Sequence, residues 1–289
     1  MNSKVIDFTI GADPEFACLR KNGSIVTSTD FVSPEEGIEF GSDGNNTTFE
    51  IRPSPSKDPV QVVNNIRDIF VRQVIRQTEF VEFKWVSGTW HSGYPFGGHV
   101  HFGIPKRCIG HEDAINFLDH YVGVVSLLME RKSHGLNRRA KGYGRMGDFR
   151  PQRWGFEYRP MSSWVSSPYI SAAMLCLSKT VMYEVLNNSK FNWHKFAVAD
   201  DFINMNQERI LQQFPVIWGD ITKMYLYQSY KPYIDLIYFI VGNKLTWLPS
   251  SPMKQCWGVV DMQHCVSNKI GIEAIWHRYN TNTEQNITQ

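Results

Sequence analysis

Four short stretches of this 289-residue chain set two ligand-type side chains around a single apolar or ring residue. They are Asp13-Pro14-Glu15, Glu50-Ile51-Arg52, His99-Val100-His101 and Glu157-Tyr158-Arg159. In a β-strand, residues i and i+2 point to the same face. Each stretch therefore presents a pair of carboxylates, a pair of imidazoles, or a carboxylate with a guanidinium on one side. Phe16, Phe49, Ile51, Val100, Phe102, Phe156 and Tyr158 point the other way, as a core face requires. Asp13, Glu15, Glu50 and Glu157 are hard oxygen donors of the kind magnesium and manganese prefer. His99 can complete such a site, because imidazole tolerates manganese and also donates hydrogen bonds to phosphate oxygens. One such pair alone reads more simply as the solvent face of a strand. Four of them, with Glu and His recurring where Lys, Thr and Ser are usual, favour metal and phosphate chemistry if the strands share one sheet.

Two further features bear on that chemistry. Gly97 to Gly103 reads GGHVHFG, and glycine in a strand marks either close approach of a ligand or a twisted edge. The stretch from Arg138 to Arg153 reads as a basic loop. It holds Arg138, Arg139, Lys141, Arg145, Arg150 and Arg153 against the one acid Asp148, with Gly142, Gly144 and Gly147 between them. Arginine grips phosphate through parallel hydrogen bonds, and glycines let backbone amides approach the same anion. A polyphosphate such as ATP fits, a nucleic-acid backbone fits the charges too, and a solvated loop needs no ligand at all. Nearness to Glu157-Arg159 tilts the reading towards a nucleotide. The phosphate-loop and dinucleotide glycine fingerprints are both missing, as is the nucleophile-elbow serine motif. Trp85, Trp90, Trp154 and Trp164 can stack an adenine or serve the core.

The elements that would position these groups are strand-rich at first. Val5 to Arg20 reads as a strand, Ser24 to Thr27 as its hairpin partner across Asn22-Gly23, and Thr47 to Arg52 as another. Ser33 to Asn46 is an acidic, glycine-containing loop. Asp58, Pro59 and Gln61 form the start signal of a helix whose stripe is Val63, Ile66, Phe70 and Val74. Phe80 to Trp90 and Gly98 to Ile104 read as strands, Glu112 to Arg131 as a helix, and Lys132 to Trp154 as a loop before the Glu157 strand. Helices are expected from Ser167-Pro168 to about Leu186, over 201–214 and over 220–240, with a frayed tail after His277. The fold class is α+β, an antiparallel sheet with helices on one face and a helical C-terminal region, expected to be one domain over 1–289 (a sheet-rich core over 1–165, mostly helical over 166–289).

Composition narrows the class. The chain is 42% hydrophobic and 20% charged with net charge +2, so no global field argues for nucleic acid or membrane. Apolar runs such as Leu236 to Val241 are too short to span a bilayer. Met1 to Ile10 carries no apolar leader pattern, and Cys18, Cys108, Cys176, Cys256 and Cys265 have no paired spacing. A reduced, cytoplasmic protein is expected.

These residues resemble a known family. Asp13-Pro14-Glu15-Phe16 resembles the E-P-E-F strand of glutamine synthetases, Gly97 to His101 their glycine-rich H-x-H strand, and Glu157-Tyr158-Arg159 their E-x-R strand, in the same order. With GADPEF, FEIRP and GGHVHFG together, the chain is similar to phage-encoded carboxylate–amine ligases (amidoligases) of the glutamine synthetase and glutamate–cysteine ligase superfamily. The resemblance covers about residues 8 to 165, with Asp13 in place of a glutamate. It implies a curved sheet whose concave face holds ATP and Mg2+ or Mn2+, and a ligase that joins a carboxylate to an amine through an acyl phosphate. Glu15 and Glu50 would hold one cation, and Asp13, His99 and Glu157 the other. Arg159, with Arg145 and Arg150, would stabilise the transferring phosphoryl group. His101 would face nucleotide or substrate, and Arg138, Arg139, Lys141 and Arg153 would serve the nucleotide. Arg52 would bind a substrate carboxylate or form an ion pair. Expected partners are a small-molecule or peptide carboxylate and an amine, without membrane. Nucleic acid is disfavoured, self-association is left open, and so is a place for Asp43 in the metal site. The same carboxylates also suit a metal-dependent nuclease or phosphohydrolase, or a non-catalytic nucleic-acid- or protein-binding derivative.

Overall fold

Alternation of polar and apolar residues works only if the strands share a register, and in this computed structural model they do. It describes residues 5–32, 39–43, 46–77, 79–104, 111–188, 190–194, 199–248 and 252–259. Strands β1 (Thr9–Leu19), β2 (Phe40–Ser42) and β3 (Phe49–Ile51) precede helices α1 (Pro59–Arg76) and α2 (Glu79–Glu82). Strand β4 (Lys84–Val86), a small hairpin of β5 (Trp90–His91) and β6 (Tyr94–Pro95), and β7 (Gly98–Gly103) follow. A helical run then comprises α3 (His111–Leu118), a π-helical turn (Asp119–Gly123) and α4 (Val124–Leu128), followed by α5 (Lys132–Ala140). After β8 (Phe149–Gln152) and β9 (Gly155–Tyr158) come α6 (Pro168–Asn187), α7 (Ala199–Ile203), α8 (Gln207–Ile221), α9 (Tyr227–Gly242) and α10 (Met253–Cys256).

The main sheet has the order β2-β3-β1-β7-β9-β8, with β4 also paired to β1. Every pairing is antiparallel. Asp13 lies opposite His99, Glu15 opposite Glu50, and Glu157 opposite both His101 and Arg150. A one-residue slip of any strand would turn its polar set into the core, so burial of the other face enforces this register.

That other face is aromatic. Phe16 stacks on Phe49 at 5.5 Å and meets Phe70 of α1 and Trp85, each at 5.5 Å. Phe80 of α2 sets its edge to Phe40 and Phe49. Phe102 lies between Phe8 and Phe156. From α6, Lys179 Nζ donates to Phe8 O at 2.6 Å and caps the Phe8 ring. Helices thus meet the sheet on its apolar side, the α+β arrangement expected. Fully burying each aromatic ring contributes about 1.5–3 kcal/mol, so this face is the anchor for the polar one.

Asp58 caps α1 by accepting from Val60 N, with Pro59 in the first turn. Gln61 bonds Asn65 instead of reaching back to the cap. The side chain of Val74, most of the 33–46 loop, Cys108, Cys265 and the C-terminal tail lie outside the described residues.

Several expectations are corrected. Residues 79–82 are helical, not strand, because Phe80 turns under Phe40 and Phe49 while Trp85 Nε1 donates to Phe80 O. Ser24 to Thr27 makes one bridge, Leu19 to Ile25, after a turn at Gly23 with φ +83°. Residues 132–140 are helical instead of loop, burying Gly135, Arg138 and Arg139. Helix α8 continues through Pro215 because Ile210, Phe214, Ile217 and Ile221 form one buried stripe. Helix α6 is long and apolar enough to cross a membrane, which a scan of short runs did not reveal, yet 83% of its most apolar window is buried in the core.

Candidate active site

Strands β1, β7 and β9 bring Asp13, His99 and Glu157 together, with one ligand atom from each lying within 4.8 Å of the others. His99 Nδ1 is 3.1 Å from Asp13 Oδ1 and 3.2 Å from Glu157 Oε1. His101 Nε2 is 3.2 Å from Asp13 Oδ2. Arg150 Nη1 and Arg159 Nε flank Glu157 at 3.3 and 3.4 Å. Glu15 is adjacent on β1 and accepts Gly97 N–H through Oε2 at 2.8 Å. The glycine there is required, because a Cβ on Gly97 would come within 2.5 Å of His99 Nε2.

Electrostatics strain this face unless positive charge enters it. Burial pushes Glu15 up to about 8, with the charges of Asp43 and Glu50 adding to the effect against His99 and the Gly97 N–H. Burial and the Asp13 charge likewise raise Glu50 to about 7, against the pull of Arg52. Burial alone would lower His99, but Asp13, with Glu15 and Glu157 behind it, holds its imidazole protonated, at about 9. Burial would raise Asp13, and the two histidines outweigh it, keeping that carboxyl well below the usual range. Asp13 Oδ1 and Glu157 Oε1 are buried without a hydrogen bond of good geometry. Both face His99 Nδ1, at 3.1 and 3.2 Å, and once that imidazole gives up its proton to a metal the three form a donor set that fits a divalent cation. Glu15 and Glu50, with Asp43 close enough to raise both, form a second carboxylate group of the same chemistry.

Other candidate residues are placed differently. Arg52 grips Glu50 through Nε–Oε1 and Nη2–Oε2 contacts of 3.0 and 2.9 Å, the ion-pair alternative for this residue. Lys141, Arg145 and Arg153 are exposed, and among the described residues none is ion-paired to the carboxylate face. Arg138 and Arg139 do not present their guanidinium groups as nucleotide ligands. Arg138 is 1% exposed and donates to Pro160 O and Met161 O at 2.8 and 3.0 Å. Arg139 pairs with buried Glu130 at 3.0 Å. Because 132–140 is helical, these two residues turn inward, where they hold the segment that backs Gly97 and Gly98.

Three further residues bear on this region: Asp43 and Trp154, both open possibilities from sequence, and Asp119, which no sequence pattern marks. Asp43 sits in the acidic loop, where only the third dimension brings it near Glu15. Trp154, 44% exposed, lies 5.2 Å from the His101 ring. Asp119, on an apparently ordinary helix, reaches the core side of β9 by hydrogen bonding Tyr158.

No functionally curated protein matches the chain. Among solved structures, the complex between prokaryotic ubiquitin-like protein Pup and its ligase PafA matches with TM-score 0.58 and 9% identity. That match covers 95% of this chain and 76% of that one, and it shows a shared fold. A bifunctional glutathione synthetase from Pasteurella multocida matches with TM-score 0.49 and 8% identity, over 97% of this chain and 52% of that one. Ligand-free GmaS matches with TM-score 0.47 and 12% identity, over 84% and 72%. The family model of the phage phiEco32-like COOH.NH2 ligases, type 2, matches residues 10–259, and the chain belongs to that family of carboxylate–amine ligases.

Proposed function

We propose that the protein is an ATP- and magnesium- or manganese-dependent carboxylate–amine ligase working through an acyl phosphate. The observation that carries this is the Asp13–His99–Glu157 donor cluster, largely buried and flanked by Arg150 and Arg159 on the same sheet face. Asp13, His99 and Glu157 would hold one cation, and Glu15 and Glu50 another. A bound cation supplies neutralisation of phosphate oxygen charge. Arg150 and Arg159 then donate to the oxygens of the transferring phosphoryl group. A substrate carboxylate oxygen attacks the γ-phosphorus and ADP leaves. The amine attacks the resulting acyl carbon, phosphate departs, and the nitrogen loses a proton to give the amide. The rigid sheet contributes positioning, which is most of what phosphoryl transfer needs. ATP dependence also favours a cytoplasmic site of action, that of the host for a phage-encoded chain.

The test is ADP release from ATP and Mg2+ with pooled amino acids and amines. An acceptor pair should stimulate release, and Glu157→Gln should cut it by roughly two orders of magnitude or more. Absence of stimulation by any pair, together with no thermal shift from ATP plus Mg2+, refutes the reading. Metal-dependent cleavage of DNA or RNA without ATP would instead carry the nuclease alternative.

A further inference from the structure

Behind the carboxylate face, on the core side of the sheet, one buried carboxylate makes contacts that no packing argument requires. Asp119 is 3% exposed and begins the π-helical turn, in which Val124 N–H donates to Asp119 O. Single π turns inside α-helices are often found at functional sites. Here one carboxylate oxygen meets strand β9 and the other the turn that leads into β8. Tyr158 OH donates to Oδ1 at 2.8 Å, and Gly147 N–H donates to Oδ2 at 2.7 Å. The same turn brings Gly123 against the phenol, where a Cβ would lie 2.6 Å from Tyr158 OH.

Both partners adjoin the site. Tyr158 stands between Glu157 and Arg159, pointing to the opposite face from them. Gly147 has φ +78° and precedes Asp148, whose carbonyl accepts Arg159 N–H at 3.1 Å. Two residues later, Arg150 lies opposite Glu157 in the β8–β9 register. We propose that Asp119 is a positioning residue, fixing through Tyr158 and the Gly147 turn the register that sets Arg150 and Arg159 on Glu157. Two donors converging on one carboxylate suit its ionised form, and burial raises Asp119 to about 7 against those donors. Neutralising it by amide substitution therefore removes a desolvated charge along with an acceptor, and the fold should persist.

The catalytic consequence rests on the ligase reading, so the test has two arms. In the first, hydrogen exchange by mass spectrometry compares the cation-free wild type with Asp119→Asn and Tyr158→Phe. Exchange over 145–150 and 155–159 should accelerate by about tenfold, as expected for loss of one buried hydrogen bond. Ser178→Ala, which removes a buried bond to Met174 O in α6, controls for plain destabilisation and should leave those segments unchanged. Unaltered exchange there in both test variants overturns the proposal, and so does equal acceleration in the control. In the second arm, kcat per folded molecule should fall roughly 10- to 100-fold, as for a small misplacement of reacting groups. A merely structural role would lower activity only in proportion to the folded fraction. Faster exchange with kcat per folded molecule unchanged also overturns it. A wild type without turnover refutes the ligase reading, while the exchange arm still decides whether Asp119 holds the register.

Discussion

Replacing Arg138 with methionine separates a structural arginine from the phosphate-binding ones that its sequence neighbourhood suggests. The substitution keeps most of the buried stem and removes the guanidinium. Two charge-assisted hydrogen bonds, to Pro160 O and Met161 O, disappear, each contributing about 1.5–3 kcal/mol. Against that stands relief of a desolvated charge. Burial, opposed by Glu130, lowers Arg138 from 12.5 to about 10, which corresponds to on the order of 3 kcal/mol of penalty. Met161 O keeps Gly98 N–H at 3.1 Å, so only Pro160 O loses its donor, at about 1 kcal/mol, and the lost bonds win by about 1–4 kcal/mol. For a chain of this size that lowers Tm by roughly 2–7 °C. Arg145→Met, at an exposed position, should stay within about 0.5 kcal/mol of the wild type. Circular-dichroism melts give the stability, and fluorescence titration with a non-hydrolysable ATP analogue gives the affinity. Under the buried-arginine account, Arg138→Met melts early, and its affinity falls no further than its folded fraction explains. A variant that melts like the wild type yet binds nucleotide more than tenfold weaker refutes that account and restores Arg138 to the ligand set.

Cation binding should strengthen with pH. Glu15 and Glu50 have folded pKa values of about 8 and about 7 against an ordinary 4.5, so the folded chain binds more protons than the unfolded one between these limits. The stability tied to those protons is complete below pH 4.5 and is lost as pH rises through 7 and 8. Melts in EDTA should therefore shift downward from pH 6 to pH 9, while the Mg2+-induced rise in Tm grows, because metal must displace those protons. Equal Mg2+ shifts at both pH values would contradict it. Gly97→Ala is expected to push the His99 ring aside, since its methyl would overlap Nε2. Mn2+ affinity should drop at least tenfold with a fall in Tm of only a few degrees, and calorimetry showing unchanged Mn2+ binding would count against His99 as a ligand.

The polar pairs could be read from sequence because a strand has a period of two, so the intervening aromatics declare which way the pair points. Asp13, Glu15, Glu50, His99 and Glu157 accordingly reach one face. That rule fails in α5, which inverts the usual polarity by exposing Leu136 and burying Gly135, Arg138 and Arg139. In α5, Arg138 and Arg139 look like a basic patch, and only the Pro160 and Met161 carbonyls and the Glu130 carboxylate turn them into core groups. Residues 79–82 depart from the strand pattern for a different reason. Their strand-like composition serves an aromatic cluster that accepts Phe80 from a helix as readily as from a strand.

What the pattern could not contain is how a crowd of like charges is held in place. Four carboxylates on one face repel, and local strand propensity does nothing to oppose that. The opposition comes partly from the arginines of the same pairs and partly from across strands, where pairing brings Arg150 and His99 in. Arg52 clamps Glu50, Arg150 and Arg159 clamp Glu157, and protonated His99 sits among Asp13, Glu15 and Glu157. Asp13 Oδ1 and Glu157 Oε1 meet these cations at 3.1–3.4 Å, as ion pairs without hydrogen-bond geometry. That looseness is intelligible if a divalent cation takes the place of the imidazolium proton during turnover, which is why pH-dependent Mg2+ binding is the sharpest test of the site.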